Sequence, residues 1–410
     1  MQCFGSADIL LPQVEEMEKW AVIACDQFTS QPEYWERVHR FVGSAPSALA
    51  LILPEVELSG DYAREIPGID KTMADYLATG IFREAPASFV YVERTLANGC
   101  IRRGLVGALD LERYDFRSDA VSAVRATEQT VVERIPPRKK IRQGAPLELP
   151  HVLLLCDDAD GRIIEPLTDR KAQLESVYDF ELMEGGGHIR GWLVSGEEAE
   201  RVSRSIADYE AQTTARYAPT APLLYASGDG NHSLATAKAC YEEVKERLGA
   251  EAASRHPARW ALVELENLHD PVQEFKPIHR IIKHCDPHAL LAAARAQIGS
   301  EDGSPIRWHL GDQEGELRLN TAGGELPVAV LQSFLDRYLQ EAAGEIDYIH
   351  GDADVRELAA VPGSIGFLLP AIEKESFFPG IVAGGVLPRK TFSMGEAREK
   401  RYYLEARKIK

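Results

Sequence analysis

A chain of 410 residues with 45% hydrophobic and 27% charged residues has the composition of an ordinary globular protein with room for two or three domains. Its formal net charge of −18 argues against a protein that binds nucleic acid by neutralising phosphates. No apolar run approaches the roughly 18–20 residues that a membrane span needs, and the six cysteines are scattered, which fits a reducing compartment. We therefore expect a cytoplasmic protein with no nucleic-acid or membrane partner.

The first strand-to-helix junction lies near the N-terminus. The apolar run 20–25 predicts a strand, and a helix is predicted to begin near Pro32. Asp26 is the first polar residue of the turn between them. Such junctions form ligand sites about as often as they only cap a helix. Asp26 is therefore either a ligand contact or part of a helix cap.

The middle of the chain predicts paired strands. Turn residues between apolar runs indicate three hairpins, at 88–109, 151–166 and 178–194. The charged stretch 121–133 contains Arg125 and Glu128. These two residues are either ligand contacts or members of a solvated helix with salt bridges.

The chain is organised around residues 223–240. An apolar run predicts the end of a buried strand, and apolar residues then recur at helical spacing from Leu234 until Gly249. The polar turn between strand and helix contains Gly228, Asp229, Gly230, Asn231, His232 and Ser233. Backbone N–H groups and the positive helix end at such a turn suit a phosphate or a carboxylate.

The side chains of this turn suggest separate roles. A tight turn in which Asn231 or Ser233 caps the helix is the simplest interpretation, but Asp, Asn and His together exceed what capping needs. His232 is suited to stabilise or protonate phosphoryl oxygens, and Asp229 is suited to bind Mg²⁺ or act as a base. The turn is therefore predicted to be the functional site.

Three further polar groups lie downstream. His279-Arg280 is either an anion clamp or a surface pair. His350 follows another predicted strand. Lys390-Thr391 resembles a phosphate-binding loop but lacks the glycines of a Walker motif. No Rossmann fingerprint, nucleophile elbow or kinase signature occurs. Strands and helices are intermixed, so the fold class is α/β, in the sense of a mixed α+β protein.

These motifs, in this order, resemble the domain-of-unknown-function family 1015, a bacterial and archaeal family sometimes labelled ParB-like. The resemblance covers nearly the whole chain and rests on segments 20–35, 125–134, 188–192, 227–238, 277–280, 348–351 and 387–396. Many members carry Asp-Gly-His-His-Arg where this chain has residues 229–233, ending in Ser233. Arg280, Arg125 or Lys390 would then have to supply the missing positive charge.

The resemblance implies a ParB/sulfiredoxin-like core, in which this turn holds nucleotide phosphates and some members are ATP- or ADP-using kinases of free serine. We predict that core at 121–285, an N-terminal α/β part at 1–120 and a C-terminal α/β part at 286–410 that packs back on it. The homodimer is one option for the oligomeric state, which the sequence leaves open.

The predicted function is phosphoryl transfer on a small metabolite, such as a hydroxy amino acid (serine, for instance) or its phosphate, by a small-molecule kinase or phosphatase. Mg²⁺ and ATP or ADP are the expected cofactors, and a nucleotide or phosphorylated ligand is the expected partner. A non-catalytic, nucleotide-sensing regulatory protein is the alternative. The predicted catalytic residues are Asp229 and His232, with Asp229 also the metal ligand. The predicted ligand-binding residues are Gly228, Gly230, Asn231, Ser233, His279, Arg280, Arg125, Glu128, Asp26, Lys390, Thr391 and His350.

Overall fold

The computed structural model describes residues 2–58, 61–388 and 390–410. The strands in this part of the chain are β1 (Phe4–Gly5), β2 (Ala7–Pro12), β3 (Val22–Ile23), β4 (Phe82–Thr95), β5 (Ile101–Asp110), β6 (Tyr114–Asp115), β7 (Val124–Ala126), β8 (Leu147–Glu148), β9 (Leu153–Cys156), β10 (Glu175–Leu182), β11 (Gly187–Val194), β12 (Tyr225–Asp229), β13 (Trp260–Asn267), β14 (Phe275–Pro277), β15 (His279–Lys283), β16 (Gly299–Leu310), β17 (Gln313–Leu319), β18 (Glu345–Ile349), β19 (Ile365–Leu368), β20 (Phe392–Met394), β21 (Tyr402–Tyr403) and β22 (Arg407–Lys408). The α-helices are α1 (Met17–Trp20), α2 (Pro32–Val42), α3 (Ile66–Ala78), α4 (Ile135–Gly144), α5 (Glu165–Arg170), α6 (Gly196–Tyr217), α7 (Asn231–Leu248), α8 (Ala250–Ala253), α9 (Pro287–Ile298), α10 (Pro327–Glu341), α11 (Asp352–Ala359) and α12 (Lys374–Gly384). The predicted mixed α+β class is confirmed.

A large mixed sheet forms the centre of the molecule. Its strands follow the order β10-β11-β4-β5-β13-β9-β12-β7-β6, with β1 paired to β5 and β2 paired to β4. The pairs from β10 to β13 are antiparallel, whereas β9 runs parallel to β13 and β7 runs parallel to β12. Because β12 runs antiparallel to β9 and parallel to β7, the residues that follow β12 and β7 lie beside the residues that precede β9.

Both faces of this sheet are buried. Along β5, Val106 and Ala108 belong to one apolar cluster, and Leu105 and Leu109 belong to another. Side chains of a strand alternate between the two faces of a sheet, so these clusters lie on opposite sides. This explains the nearly continuous apolar sequence of β5 and β9, because a strand covered on both faces has no solvent-facing positions.

A second sheet lies further along the chain and has its own core. Five strands follow the antiparallel order β17-β16-β19-β15-β18, and a third apolar cluster joins them to α9, α10 and α12. The large sheet takes strands from both sides of residue 120. The three-part division of the chain stays a prediction.

The segment 396–409, which we call the C-terminal strap, crosses back over the first half of the protein. Its strands β21 and β22 pair with β3 and β8, and Trp20 Nε1 donates to Leu404 O at 2.9 Å. Inside the strap, the buried Arg401 forms ion pairs with Glu264 of the large sheet and with Glu405. The strap is therefore fixed by strand pairing and by buried charge together.

Two predicted hairpins, at 88–109 and 178–194, are confirmed as the pairs β4–β5 and β10–β11. The hairpin at 151–166 is wrong, since β9 is followed by α5. Here the Asp158 carboxylate accepts the N–H groups of Arg162 and Ile163, and this turn leads into the helix. The solvated helix considered for 121–133 is also wrong, because β7 there is a buried strand of the large sheet.

In the described parts of the chain, no helix is both long enough and apolar enough to cross a membrane.

Candidate functional site

The central turn is shorter than the sequence suggests. Strand β12 continues through Ser227 and Gly228 to Asp229, and α7 begins at Asn231, so Gly230 alone joins the two elements. Gly230 has φ of +76°, which is the left-handed region. This conformation turns the chain sharply, so that α7 begins directly at the end of the strand. Ser233 N and Leu234 N donate to Gly230 O, which leaves the N–H groups of Asn231 and His232 as those suited to a ligand.

We expect Gly230→Ala to lower the free energy of unfolding by about 1–2 kcal/mol, because a left-handed conformation is costly for any residue with a Cβ atom. That Cβ would also lie 3.0 Å from Val152 Cα. Gly80 is the matched control, since its φ is also +76° and no atom lies within 4 Å of its added Cβ. Urea denaturation of both variants should give the larger loss for Gly230→Ala, and equal losses would contradict the close approach to Val152.

Asp229 is already engaged at the turn. Its Oδ1 accepts the N–H of Gly230 at 2.9 Å, and its Oδ2 lies 3.2 Å from Lys400 Nζ of the C-terminal strap. Among the described residues, no group of three or more His, Cys, Asp or Glu side chains is placed to hold a metal ion. The role of Asp229 as a Mg²⁺ ligand stays a prediction, and we derive no step through a metal.

His232 is a neutral hydrogen-bonding group. Its Nε2 accepts the N–H of Val131 at 3.2 Å, so the ring proton is on Nδ1. Burial, reinforced by the positive charges of Arg138 and Arg134, lowers the pKa of His232 to about 4. At neutral pH the ring can donate a hydrogen bond from Nδ1 to an anion. Stabilising or protonating phosphoryl oxygens stays a prediction for His232, and the lowered pKa favours the stabilising role.

The basic cluster at 134–142 belongs to this site. It lies on and just before α4, and three of its cations are paired: Arg138 with Glu55, Lys139 with Glu243 and Arg142 with Glu148. The side chain of Arg134 is exposed. The positive end of α7 thus faces a second source of positive charge in a strongly acidic protein.

Asn231 and Ser233 lie on either side of His232. Asn231 Oδ1 is buried and has no hydrogen-bond partner among the described residues. Ser233 Oγ lies 2.8 Å from His151 Nε2, and His151 Nδ1 lies 3.0 Å from the Tyr403 hydroxyl. The Ser233 side chain is therefore directed towards His151.

The N-terminal junction reaches the same region. The Cys25 N–H donates to the Tyr403 hydroxyl at 3.2 Å, and the negative charge of Asp26 acts on His232, where it raises the pKa against the larger effect of burial. A cavity of about 160 Å³ is lined by Cys25, Ser233, His151 and Tyr403. The N-terminal junction and the C-terminal strap thus both meet the central turn.

The loop formed by residues 387–388 and 390–392 is held next to the turn by hydrogen bonds. Leu387 N donates to Thr127 O at 2.8 Å, and Thr127 Oγ1 donates to Ser227 O at 2.7 Å. The Glu128 carboxylate accepts the N–H groups of Lys390 and Thr391 at 3.2 and 3.0 Å. Burial raises the pKa of Glu128 despite these bonds. Glu128 therefore shapes this loop rather than binding an anion.

Arg280 holds the other side of this loop. Its Nη1 donates to Lys390 O at 2.9 Å, its Nε donates to Gln332 Oε1 at 2.7 Å, and its Cζ lies 4.7 Å from the centre of the Tyr348 ring. Burial lowers the pKa of Arg280 to about 10. The guanidinium is fully buried, so it acts on the turn only through the loop that it supports.

Three predicted site residues contact other parts of the fold. The Arg125 guanidinium donates to the carbonyl oxygens of Ser122, Ala221 and Pro222, at the opposite end of β12 from the turn. The ring nitrogens of His279 lie 3.1 Å from Leu369 N and 3.1 Å from Asp352 Oδ1. Being adjacent on β15, His279 and Arg280 point to opposite faces and cannot form one clamp. The side chain of His350 is exposed on a loop.

Four residues at the site were not predicted from the sequence. His151, Val131 and Lys400 contact the turn, and Tyr403 contacts His151. A single histidine before an apolar strand gives no signal of function, because buried histidines are common. The one usable signal in the sequence is the run of basic residues at 134–142.

Among solved structures, the chain is similar to a free serine kinase mutant in complex with AMP, with 13% identity over 72% of this chain and 90% of that chain and a TM-score of 0.38. It is also similar to a conserved hypothetical protein from Pyrococcus furiosus (12% identity, 72% and 92% covered, TM-score 0.35). A third similar structure is SbnI from Staphylococcus aureus, with a C-terminal truncation (10% identity, 71% and 83% covered, TM-score 0.35). These TM-scores are too low for those proteins to assign a fold or a function here.

A search of curated proteins gave no match. The sequence pattern of the family described as "Protein of unknown function (DUF1015)" matches residues 10–377. This match spans most of the chain, which includes the central turn, the basic cluster and the five-stranded sheet. The chain therefore belongs to the DUF1015 family.

Proposed function

We propose that this protein binds a phosphate-bearing small molecule, a nucleotide or a phosphorylated metabolite, at the N-terminus of α7 and transfers a phosphoryl group there. The ligand would occupy what we call the His232 face, formed by Asn231, His232, Val131, Arg134 and Arg138. The observation that carries the proposal is the neutral His232 ring between a helix N-terminus and two arginines. Each of these groups favours an anion at the same place.

Each group would have a distinct task. The N–H groups of the first turn of α7 would hold the phosphate, and His232 Nδ1–H would donate to a phosphoryl oxygen as charge develops there. The exposed Arg134 is suited to bind the outer oxygens in a bidentate manner. Lys400 lies on the other side of Asp229 and would supply the positive charge that the arginine of the common family motif would give.

The ligand and the second substrate can be proposed more specifically. The resemblance of residues 229–233 to the ParB/sulfiredoxin turn supports ATP or ADP as the phosphate-bearing ligand, and a hydroxy amino acid or its phosphate as the second substrate. Residues 121–285 would then form the core that carries the turn.

A binding protein without catalysis is the second candidate, and the state of Asp229 favours it. Both oxygens of this carboxylate have a partner, so the turn has no unpaired base next to the phosphate position. A nucleotide-sensing role needs only the anion-binding groups.

Thermal unfolding with ATP, ADP, pyrophosphate and phosphoserine, each with and without Mg²⁺, tests the proposal. A ligand at 100 times its dissociation constant stabilises the folded state by about 2.7 kcal/mol, so we expect a shift of a few degrees for at least one of them. His232→Ala should remove that shift. His279→Ala is the matched control, because His279 is also buried and hydrogen-bonded but contacts Asp352, and it should keep the shift.

The results of this experiment distinguish a phosphoryl-transfer enzyme from a binding protein. A shift that survives in His232→Ala, or no shift with any ligand, would refute binding at the His232 face. If the shift depends on His232, the stabilising nucleotide is incubated with serine and phosphate transfer is followed by ³¹P NMR. Transfer supports the enzyme, and its absence across hydroxy amino acids and their phosphates supports the binding protein.

A further inference from the structure

Three side chains next to the turn form a continuous hydrogen-bonded row. Ser233 Oγ lies 2.8 Å from His151 Nε2, and His151 Nδ1 lies 3.0 Å from the Tyr403 hydroxyl. A hydroxyl within hydrogen-bond reach of a histidine, which a third group orients in turn, is the arrangement that activates serine as a nucleophile. The proposed phosphate site does not use this row.

The row is held rigidly by distant parts of the chain. Ser233 lies in the first turn of α7, His151 precedes β9, and Tyr403 belongs to β21. The rings of His151 and Tyr403 are 8% and 3% exposed and meet edge to face, with centroids 5.4 Å apart. The imidazole is therefore fixed in orientation before any ligand binds, as a general base requires.

All three residues line one cavity of about 160 Å³. The other lining residues are mostly apolar, such as Leu51, Leu53, Ile141, Leu147 and Val152. Two ion pairs, Arg138–Glu55 and Arg142–Glu148, also line the cavity. An apolar cavity of about 150 Å³ is large enough for benzene. The hydroxyl therefore faces a space that suits a compact apolar group, and not a nucleotide.

We propose that Ser233 is a nucleophile, with His151 as its general base, for small carboxylic esters whose acyl or aryl group fits this cavity. This goes beyond phosphate binding and requires no nucleotide. Ser233 Oγ forms a bond to the carbonyl carbon while its proton passes to His151 Nε2. The ester C–O bond then breaks, and the alcohol leaves with that proton. Water attacks the acyl-serine, releases the carboxylic acid and restores the hydroxyl.

The tautomer that this step needs is available in the structure. His151 keeps its proton on Nδ1 and donates it to the Tyr403 oxygen, which also accepts the N–H of Cys25 at 3.2 Å. Nε2 is then free to accept from Ser233. As it gains a proton, the imidazolium is stabilised by its hydrogen bond to the phenol oxygen. Tyr403 is thus a positioning residue for His151.

A fluorophosphonate probe tests the nucleophile without knowledge of the natural ester. Attack by Ser233 Oγ forms an O–P bond, breaks the P–F bond and releases fluoride, which leaves a stable adduct. We expect one adduct per chain in the full-length protein, mapped to Ser233 by peptide mass spectrometry. Ser233→Ala should lose it. Ser195→Ala is the control, since Ser195 also lies at the start of a long helix, as the N-cap residue of α6, and its side chain makes no capping bond there. This variant should label like the wild type.

Two further variants test the roles of the partners, with circular dichroism as the check on folding. His151→Gln should slow labelling at least tenfold. Tyr403→Phe keeps the ring packing and should slow labelling several-fold and shift the pH midpoint of the labelling rate, which a purely structural role would not change. No adduct in the wild type, an adduct at another serine, or unchanged labelling of Ser233→Ala would overturn the proposal, whatever the nucleotide experiments give.

Discussion

Arg401→Ala is expected to lower the free energy of unfolding by about 3–5 kcal/mol, because removing one partner of a buried ion pair leaves an uncompensated buried charge. Arg401 is 2% exposed and pairs with Glu264 and Glu405, which are also buried. Its Nε also donates to Pro150 O. The variant would leave two carboxylates without their cation in the contact between the strap and the large sheet.

Urea denaturation followed by tryptophan fluorescence measures this loss. Arg83→Ala is the control, since its pair with Glu175 is solvent-exposed and should contribute no more than about 1 kcal/mol. The triple variant Arg401→Met, Glu264→Gln, Glu405→Gln should recover part of the loss, because no unpaired charge is then buried. A loss for Arg401→Ala as small as that for Arg83→Ala would contradict the buried network.

The stability of the protein should fall as the pH drops from about 6.5 to about 4, with His232 contributing about 2–3 kcal/mol of that fall. Burial lowers the pKa of His232 from 6.5 to about 4. Below pH 6.5 the His232 ring binds a proton in the unfolded chain but not in the folded chain. Lowering the pH therefore favours unfolding until the ring is also protonated in the folded chain. The full shift corresponds to roughly 3.4 kcal/mol at 1.36 kcal/mol per unit, and partial solvent access of the ring reduces it.

The contribution of His232 is obtained by difference. Free energies of unfolding are measured for the wild type and His232→Asn at several values between pH 7 and pH 4. We expect the variant to lose about 2–3 kcal/mol less over this range. His350→Asn should follow the wild type, because His350 is exposed. Parallel curves for the wild type and His232→Asn would show that the ring protonates as freely as in the unfolded chain.

The local parts of the site were predictable from sequence. The strand, the glycine and the helix around Gly230 follow from periodicity and backbone chemistry, and Gly249 ends α7 as predicted. The polar turn was placed too broadly, since residues 227–229 extend β12 and residues 231–233 begin α7. Hydrogen bonding to β9 and β7 caused this difference, because neighbouring strands can extend a strand into polar sequence.

The long-range parts were not predictable. His151 and Ser233 are 82 residues apart, and His151 and Tyr403 are 252 apart, so no local pattern connects them. One error was avoidable: adjacent residues of a predicted strand point to opposite faces, which already separates His279 from Arg280. Arg125 was misjudged for another reason, since an arginine that binds backbone carbonyl oxygens looks the same in sequence as one that binds phosphate.

The C-terminal strap has a consequence for how the protein is made. Trp20 is bonded to Leu404, and both the central turn and the large sheet contact residues 400–403. Tyr402, Tyr403, Leu404 and Ala406 of the strap are buried in the apolar cluster that contains Trp20. During translation this apolar face stays exposed until the ribosome has added these residues and they have left the exit tunnel. Contacts of such long sequence separation also slow folding. A product truncated before Arg401 would display that apolar face permanently, which is the feature that chaperones and proteases recognise.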